Sequence, residues 1–212
     1  MYPIAYEADS NPEPNRWTTF FRLILAIPWL VVAIFWGLLV TFTHLFAWVA
    51  IVVLGRYPEW LYDFNTGVVR FGIRTGAWIY LQTDVWPPFG LSQDPTYPIR
   101  VNFPRPAERQ SRLKALFRPI LALPLGIVIY LGMAGVHSGI AAVAWLTIVF
   151  RGYMPEAVNS ILTYVNGFYA RFAGYLVFAT DDYPPIGLER AQPSGGQPSP
   201  APQVPSPIPP TA

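Results

Sequence analysis

An all-α integral membrane fold, built as two tandem parallel repeats that each contain a transmembrane helical hairpin and an amphipathic interfacial helix, is what the sequence predicts. Three observations carry the expectation. The chain is 53% hydrophobic and only 12% charged, whereas charged residues approach a quarter of an ordinary soluble domain. Two uncharged runs, of 33 residues between Arg22 and Arg56 and of 32 between Arg118 and Arg151, dominate it. The phrase TDVWPPFGL at 83–91 returns as TDDYPPIGL at 180–188, so the chain is duplicated.

The register of that duplication runs from end to end. Tyr2-Pro3-Ile4 matches Tyr97-Pro98-Ile99, and Arg16, Arg22, Ala26 and Pro28 match Arg112, Arg118, Ala122 and Pro124. After one inserted residue, Trp48, Gly55, Pro58-Glu59, Phe71 and Arg74 match Trp145, Gly152, Pro155-Glu156, Phe168 and Arg171. Repeats of this kind define the architecture before any element is assigned. They divide the chain into unit 1 (1–95), unit 2 (96–188) and a tail (189–212) so rich in Pro, Ser and Gly that disorder is expected of it. The N-terminal MYPIAYEADSNPEPNR has neither a basic start nor an apolar core, so no cleaved leader is expected. In sum, RxxxFFRLILAIP, GRYPEWLYDF and YLQTDVWPPFGL, preceded by YPI and followed by a second degenerate copy, resemble the bacterial membrane family known as domain of unknown function 4389 in its tandem form. The resemblance implies a membrane protein and brings no activity, substrate or site residue with it.

Within each unit the uncharged run comes first. As one straight helix it would reach about 50 Å at ~1.5 Å per residue, against a hydrocarbon core of ~30 Å, so two short spans are expected. The alternative is one long tilted or broken helix. Basic residues precede each run (Arg16, Arg22; Arg109, Arg112, Lys114, Arg118) and follow it (Arg56; Arg151), which places both ends on the cytoplasmic side of the plasma (inner) membrane. The hairpin turns are expected at 41–44 and 132–139, and Pro28 and Pro124 are expected to bend the first span. N-terminus and tail are then both cytoplasmic, and the repeats are related by an axis along the membrane normal.

The amphipathic helix comes next. From Pro58-Glu59, one stripe holds Glu59, Asp63, Thr66, Arg70 and Arg74, the other Trp60, Leu61, Phe64, Val68, Phe71 and Trp78; unit 2 repeats the division from Glu156 to Arg171. An in-plane helix satisfies the charge rule, and a spanning one is the alternative. Arg70, Arg74 and Arg171, with Glu59 and Glu156, are the candidate interface residues, expected among lipid headgroups. Thr83-Asp84 and the paired prolines then stop the helix, as do their copies. Beyond them Ile99, Val101 and Phe103 alternate with Arg100 and Asn102 as in a short strand, a candidate partner for the YPI segment at the N-terminus.

Chemistry is sparse. There is no cysteine, no nucleotide fingerprint and no nucleophile motif. His44 and His137 fall near the expected turns but do not align in the repeat, so they are read as turn residues and not as a metal site. No cofactor and no nucleic acid partner is expected. The expected function is a non-enzymatic accessory or scaffold in the membrane, with lipid, a membrane-protein partner or a second copy as its contacts. A small transporter or channel is the alternative, disfavoured by the lack of ionisable residues inside the runs.

Overall fold

The structure, a computed structural model, describes residues 2–11, 13–105 and 109–185, so the expected disordered tail lies outside the described residues. Its elements in order are β1 (Ala5–Ala8), α1 (Arg16–Leu25), α2 (Ile27–Leu54), α3 (Glu59–Ile79), β2 (Ile99–Asn102), α4 (Arg112–Ile127), a π-helical turn (Val128–Met133), α5 (Ala134–Arg151) and α6 (Glu156–Leu176). The protein is mostly helical and made of two like units. The helices Ile27–Leu54 and Ala134–Arg151 are long and apolar enough to cross a membrane.

The expected hairpins are absent: each uncharged run is one long, bent helix. In unit 1 the Asn15 side chain caps α1 by accepting from the Trp17 and Thr18 amides. The helix passes through a one-residue joint at Ala26, where Pro28, lacking an N–H, loosens the ladder. It then continues straight through 41–44. There the polar residues that were expected to turn the chain are satisfied inside the helix. Thr41 Oγ1 donates to the Gly37 carbonyl at 2.8 Å, and Thr43 Oγ1 lies 3.2 Å from the Leu39 and Val40 carbonyls and 2.6 Å from Asn65 Oδ1. Such back-bonding lets a hydroxyl sit mid-helix. In unit 2 the glycine-rich 132–139 is likewise absorbed into the π-helical turn and α5.

Both long helices stop at a left-handed glycine, Gly55 (φ 70°) and Gly152 (φ 83°), the conformation glycine adopts without Cβ strain. The chain turns back, and α3 runs antiparallel along α2, as α6 does along α5. Both of these helices end on a left-handed residue that is not glycine, Leu81 (φ 70°) and Phe178 (φ 61°). The Gln82 and Ala179 amides close the turns on the Ala77 and Gly174 carbonyls, and burial of the Leu81 and Phe178 side chains offsets a strain of roughly 1–2 kcal/mol.

The long helices of the two units run in opposite directions. Trp48 Nε1 donates to the Ala115 carbonyl at 3.0 Å and Trp145 Nε1 to the Thr19 carbonyl at 3.1 Å, and these are equivalent bonds made at opposite ends of an antiparallel long-helix pair. The strands obey the same symmetry. β1 and β2 pair antiparallel with Tyr6 opposite Val101, its own counterpart in the repeat. A pseudo-twofold axis therefore runs through that pair, perpendicular to the sheet, between α3 and α6 and through the middle of the long helices. Three layers result. The long helices form one, α3 and α6 the next, and the sheet the third, with Ile4, Tyr6, Ile99, Val101 and Phe103 buried against α3 and α6. Each unit packs its long helix against the other's.

Because Gly55 and Gly152 end the long helices in a conformation that costs an L-residue roughly 1–2 kcal/mol, Gly55→Ala and Gly152→Ala should each lower the thermal unfolding midpoint in mild detergent. Unchanged midpoints for both would rule out the left-handed stop.

Candidate functional site

The repeated Thr-Asp phrase is explained by what reaches it. Arg22, one turn and a half into α1, points inward with 2% of its surface exposed. Its Nη1 donates to the Trp78 carbonyl at 2.6 Å and the Thr83 carbonyl at 3.0 Å, and its Nη2 pairs with Asp84 Oδ1. The other oxygen of Asp84 accepts the Asn15 amide at 2.7 Å, and also Asn11 Nδ2 at 3.2 Å. The guanidinium lies 4.8 Å from the centre of the Trp78 ring.

Unit 2 repeats the core of the arrangement. Arg118 Nη1 donates to the Tyr175 carbonyl at 2.7 Å, and Nη2 to Asp181 Oδ1 at 2.6 Å. Asp181 Oδ2 accepts the Ser111 amide at 3.4 Å. The Arg118 guanidinium stacks 4.5 Å from both Tyr175 and Phe178. Thr83 and Thr180 brace the turn by accepting the Val85 and Asp182 amides, each at 3.1 Å. Each aspartate thus joins the start of a long helix, through the amide of its N-cap residue, to the end of the amphipathic helix of the same unit. Burial pulls both guanidinium pKa values down, and the paired carboxylates oppose that shift. Both terminal nitrogens of each arginine are engaged, so the pair fastens backbone to backbone and offers no free acid or base.

A second polar junction ties the layers together. Gln82 Oε1 accepts from the Tyr6 hydroxyl and from Asn166 Nδ2, while its Nε2 donates to Thr163 Oγ1 at 2.9 Å. Strand β1, the end of α3 and the middle of α6 meet at one side chain.

The arginines expected among headgroups lie inside. Arg70 and Arg74 are buried, and their Nη1 atoms donate to the Leu91 carbonyl at 3.1 Å and the Ser92 carbonyl at 3.0 Å. Their guanidinium groups lie 5.7 Å from the Phe103 ring and 5.5 Å from the Tyr97 ring. Arg171 is buried too, its Nε donating to the Gly167 carbonyl at 3.2 Å. The physical reason is the sheet layer. Backbone carbonyls of the chain's own loop and strand cover the polar stripe that lipid headgroups were expected to meet. Glu59 and Glu156 remain exposed in the first turns of α3 and α6, away from those arginines. His44 and His137 are not turn residues. They sit within the long helices, His44 stacked on Phe178 at 5.0 Å and His137 on Tyr80 at 3.5 Å.

Removing one charge of a buried pair leaves the other uncompensated, at a cost of about 3 kcal/mol. Asp84→Asn and Asp181→Asn should each lower stability on that order, while Arg22→Met combined with Asp84→Leu should cost less than Asp84→Asn alone. Chemical denaturation in detergent reads both; equal losses for the single and double variants would contradict the ion-pair account.

The comparisons with known proteins agree with the duplication. The family model described as "Domain of unknown function (DUF4389)" matches residues 16–90 and again 112–186. No curated protein and no solved structure gives a match. Each match opens at the first residue of a long helix and extends past the Thr-Asp clamp that closes the unit, and the chain belongs to the DUF4389 family, carrying its domain twice.

Proposed function

We propose that the chain is a non-enzymatic accessory or scaffold protein of the plasma membrane, seated in the cytoplasmic leaflet with its two long helices lying in the membrane plane. The supporting observation is the opposite character of its two outer layers. On the long-helix layer the outward residues are mostly apolar, including Phe20, Ile34, Phe42 and Val49 in unit 1 and Leu123, Val143 and Phe150 in unit 2. Two helices about 10 Å wide and some 50 Å long make an apolar face of roughly 1,000 Å², well above the few hundred Å² common on soluble monomers.

The sheet layer is the reverse. Its outward residues are Ala5, Glu7, Arg100 and Asn102. Arg100 pairs with Glu7 at 3.3 Å and with Asp9 at 2.6 Å, and that hydrogen bond holds the Asp9 carboxyl below its usual range. The sheet covers the middle of α3 and α6: Arg70 Nε lies 3.5 Å from the Val101 carbonyl, and Gly167 packs against Tyr6. If the long helices stood across the bilayer, this charged surface would face the hydrocarbon centre, where ionised groups are costly. Lying flat, the molecule puts the apolar layer in lipid and the sheet in water, with the pseudo-twofold axis along the membrane normal. A long apolar face docked this way suits a platform for a membrane-protein partner or a second copy. The transport reading lacks a comparable support, because the interior guanidinium groups are tied to backbone carbonyls and carboxylates.

Both ends of each long helix then lie on the cytoplasmic side. The chain has no cysteine, so single Cys variants at Glu13, Glu59 and Asn102 report one site each. None should react with an impermeant maleimide in intact cells, and all should react after permeabilisation. Labelling of Glu13→Cys or Glu59→Cys alone from outside would mean a spanning helix and would overturn the in-plane orientation.

A further inference from the structure

The pseudo-twofold axis makes the two ends of the long-helix pair structurally equivalent, yet their charges differ. At one end Gly55 closes α2, and an added Cβ there would meet the Arg112 side chain. The Gln110 amide donates to the Gly55 carbonyl at 3.0 Å, so Arg56 and Arg109, the chain neighbours of the two bonded residues, converge on the same place. Lys114 follows in the first turn of α4. Arg56, Arg109, Arg112 and Lys114 are all exposed, and none has a carboxylate within salt-bridge distance among the described residues. The acids close to them in sequence are Glu59, exposed in the first turn of α3, and Glu108, outside the described residues.

At the other end Gly152 closes α5 against the Arg16 side chain. The repeat places Glu13 where the first end has Arg109 and Thr18 where it has Lys114. The cations there are Arg16 and Arg151, and the neighbouring acids are Glu13 and Glu156. With Asp182 beside the Asp181 that holds the Ser111 amide, and the Arg118–Asp181 and Arg22–Asp84 pairs cancelling, four cations against three acids leave the Gly55 end at a net +1, while two against two leave the Gly152 end neutral. The net-positive end also borders the apolar layer, since Val53, Leu54, Leu113 and Leu116 are exposed beside it.

We infer that the Gly55 end is a binding site for the phosphate of an anionic phospholipid, formed by Arg56, Arg109, Arg112 and Lys114. The inference rests on the in-plane reading, which puts this end at headgroup level with acyl chains beneath it. Arginine and lysine there meet a lipid phosphodiester by charge-assisted hydrogen bonds, and the adjoining leucines meet its chains. Arg109 and Lys114 are replaced by Glu13 and Thr18 at the other end, so the protein carries its own control.

The test uses the full chain in mild detergent, incubated with equal amounts of phosphatidylglycerol and phosphatidylcholine, with retained lipid read by native mass spectrometry. Phosphatidylglycerol should be retained in preference. Arg56→Gln with Arg109→Gln and Lys114→Gln should reduce that preference by about a hundredfold, at about fivefold per cation, and Arg151→Gln should leave it unchanged. Unchanged thermal unfolding without lipid verifies that the triple variant is folded, and Arg56→Gln and Lys114→Gln singly should each give about fivefold if it is not. Equal retention of both lipids would overturn the site while leaving the in-plane orientation standing, because that orientation is judged by the cysteine labelling. A loss in Arg151→Gln equal to that of the triple variant would overturn the assignment to one end. Stabilisation by inorganic phosphate matching that by phosphatidylglycerol would overturn the lipid as ligand.

Discussion

The buried pairing of Arg22 with Asp84, and of Arg118 with Asp181, is the constraint on which each unit is built. A guanidinium inside a helical bundle is costly unless charge and hydrogen bonds compensate it, and here a carboxylate, backbone carbonyls and aromatic faces do so together. The compensation has a spatial consequence. The carboxylate must come from the turn after the amphipathic helix, and it also holds the amide of the residue that caps the long helix. One side chain therefore closes the unit on itself across 62 residues in unit 1 and 63 in unit 2.

Two units closed in this way combine by symmetry. Equivalent tryptophans donate to equivalent carbonyls across the long-helix pair, and the strand pair is centred on Tyr6 and Val101. A twofold axis normal to the layers gives both units the same outward face, so apolar residues gather on one side and charged residues on the other. Neither layer is amphipathic by accident. Among the described residues nothing covers the apolar side, and the polarity of the sheet is the basis of the proposed orientation in lipid.

Much of this was legible in the sequence, and the failures have particular causes. The duplication, the helical content, the amphipathic α3 and α6, the break at Pro28 and the alternation at Ile99, Val101 and Phe103 follow from periodicity and spacing. In unit 1 the expected turn stays helical, with Thr41 and Thr43 bonded back to their own helix, which a count of polar residues does not reveal. The polar stripe of α3 was visible, but its cover was not. Arg70 and Arg74 meet carbonyls at 91 and 92, a contact set by the path of the loop. The clamp left one signal, the repetition of both Arg22 and Asp84 in the second copy. Read separately they resemble a snorkelling arginine and a helix stop; only their shared recurrence marks them as partners.

Orientation in the bilayer is the point on which the functional reading stands, and the immersion depth of spin labels measures it directly. Labels introduced singly from Phe20 to Val53, in the protein reconstituted into vesicles, would be read by power saturation with oxygen and with a water-soluble nickel chelate. The expected depth profile oscillates with the 3.6-residue period of the helix, deepest at outward positions such as Ile34, Phe42 and Val49, with no trend from one end to the other. A depth that rises smoothly to a maximum near the middle and falls again, whichever way the side chain faces, would describe a helix crossing the membrane and would contradict the in-plane account.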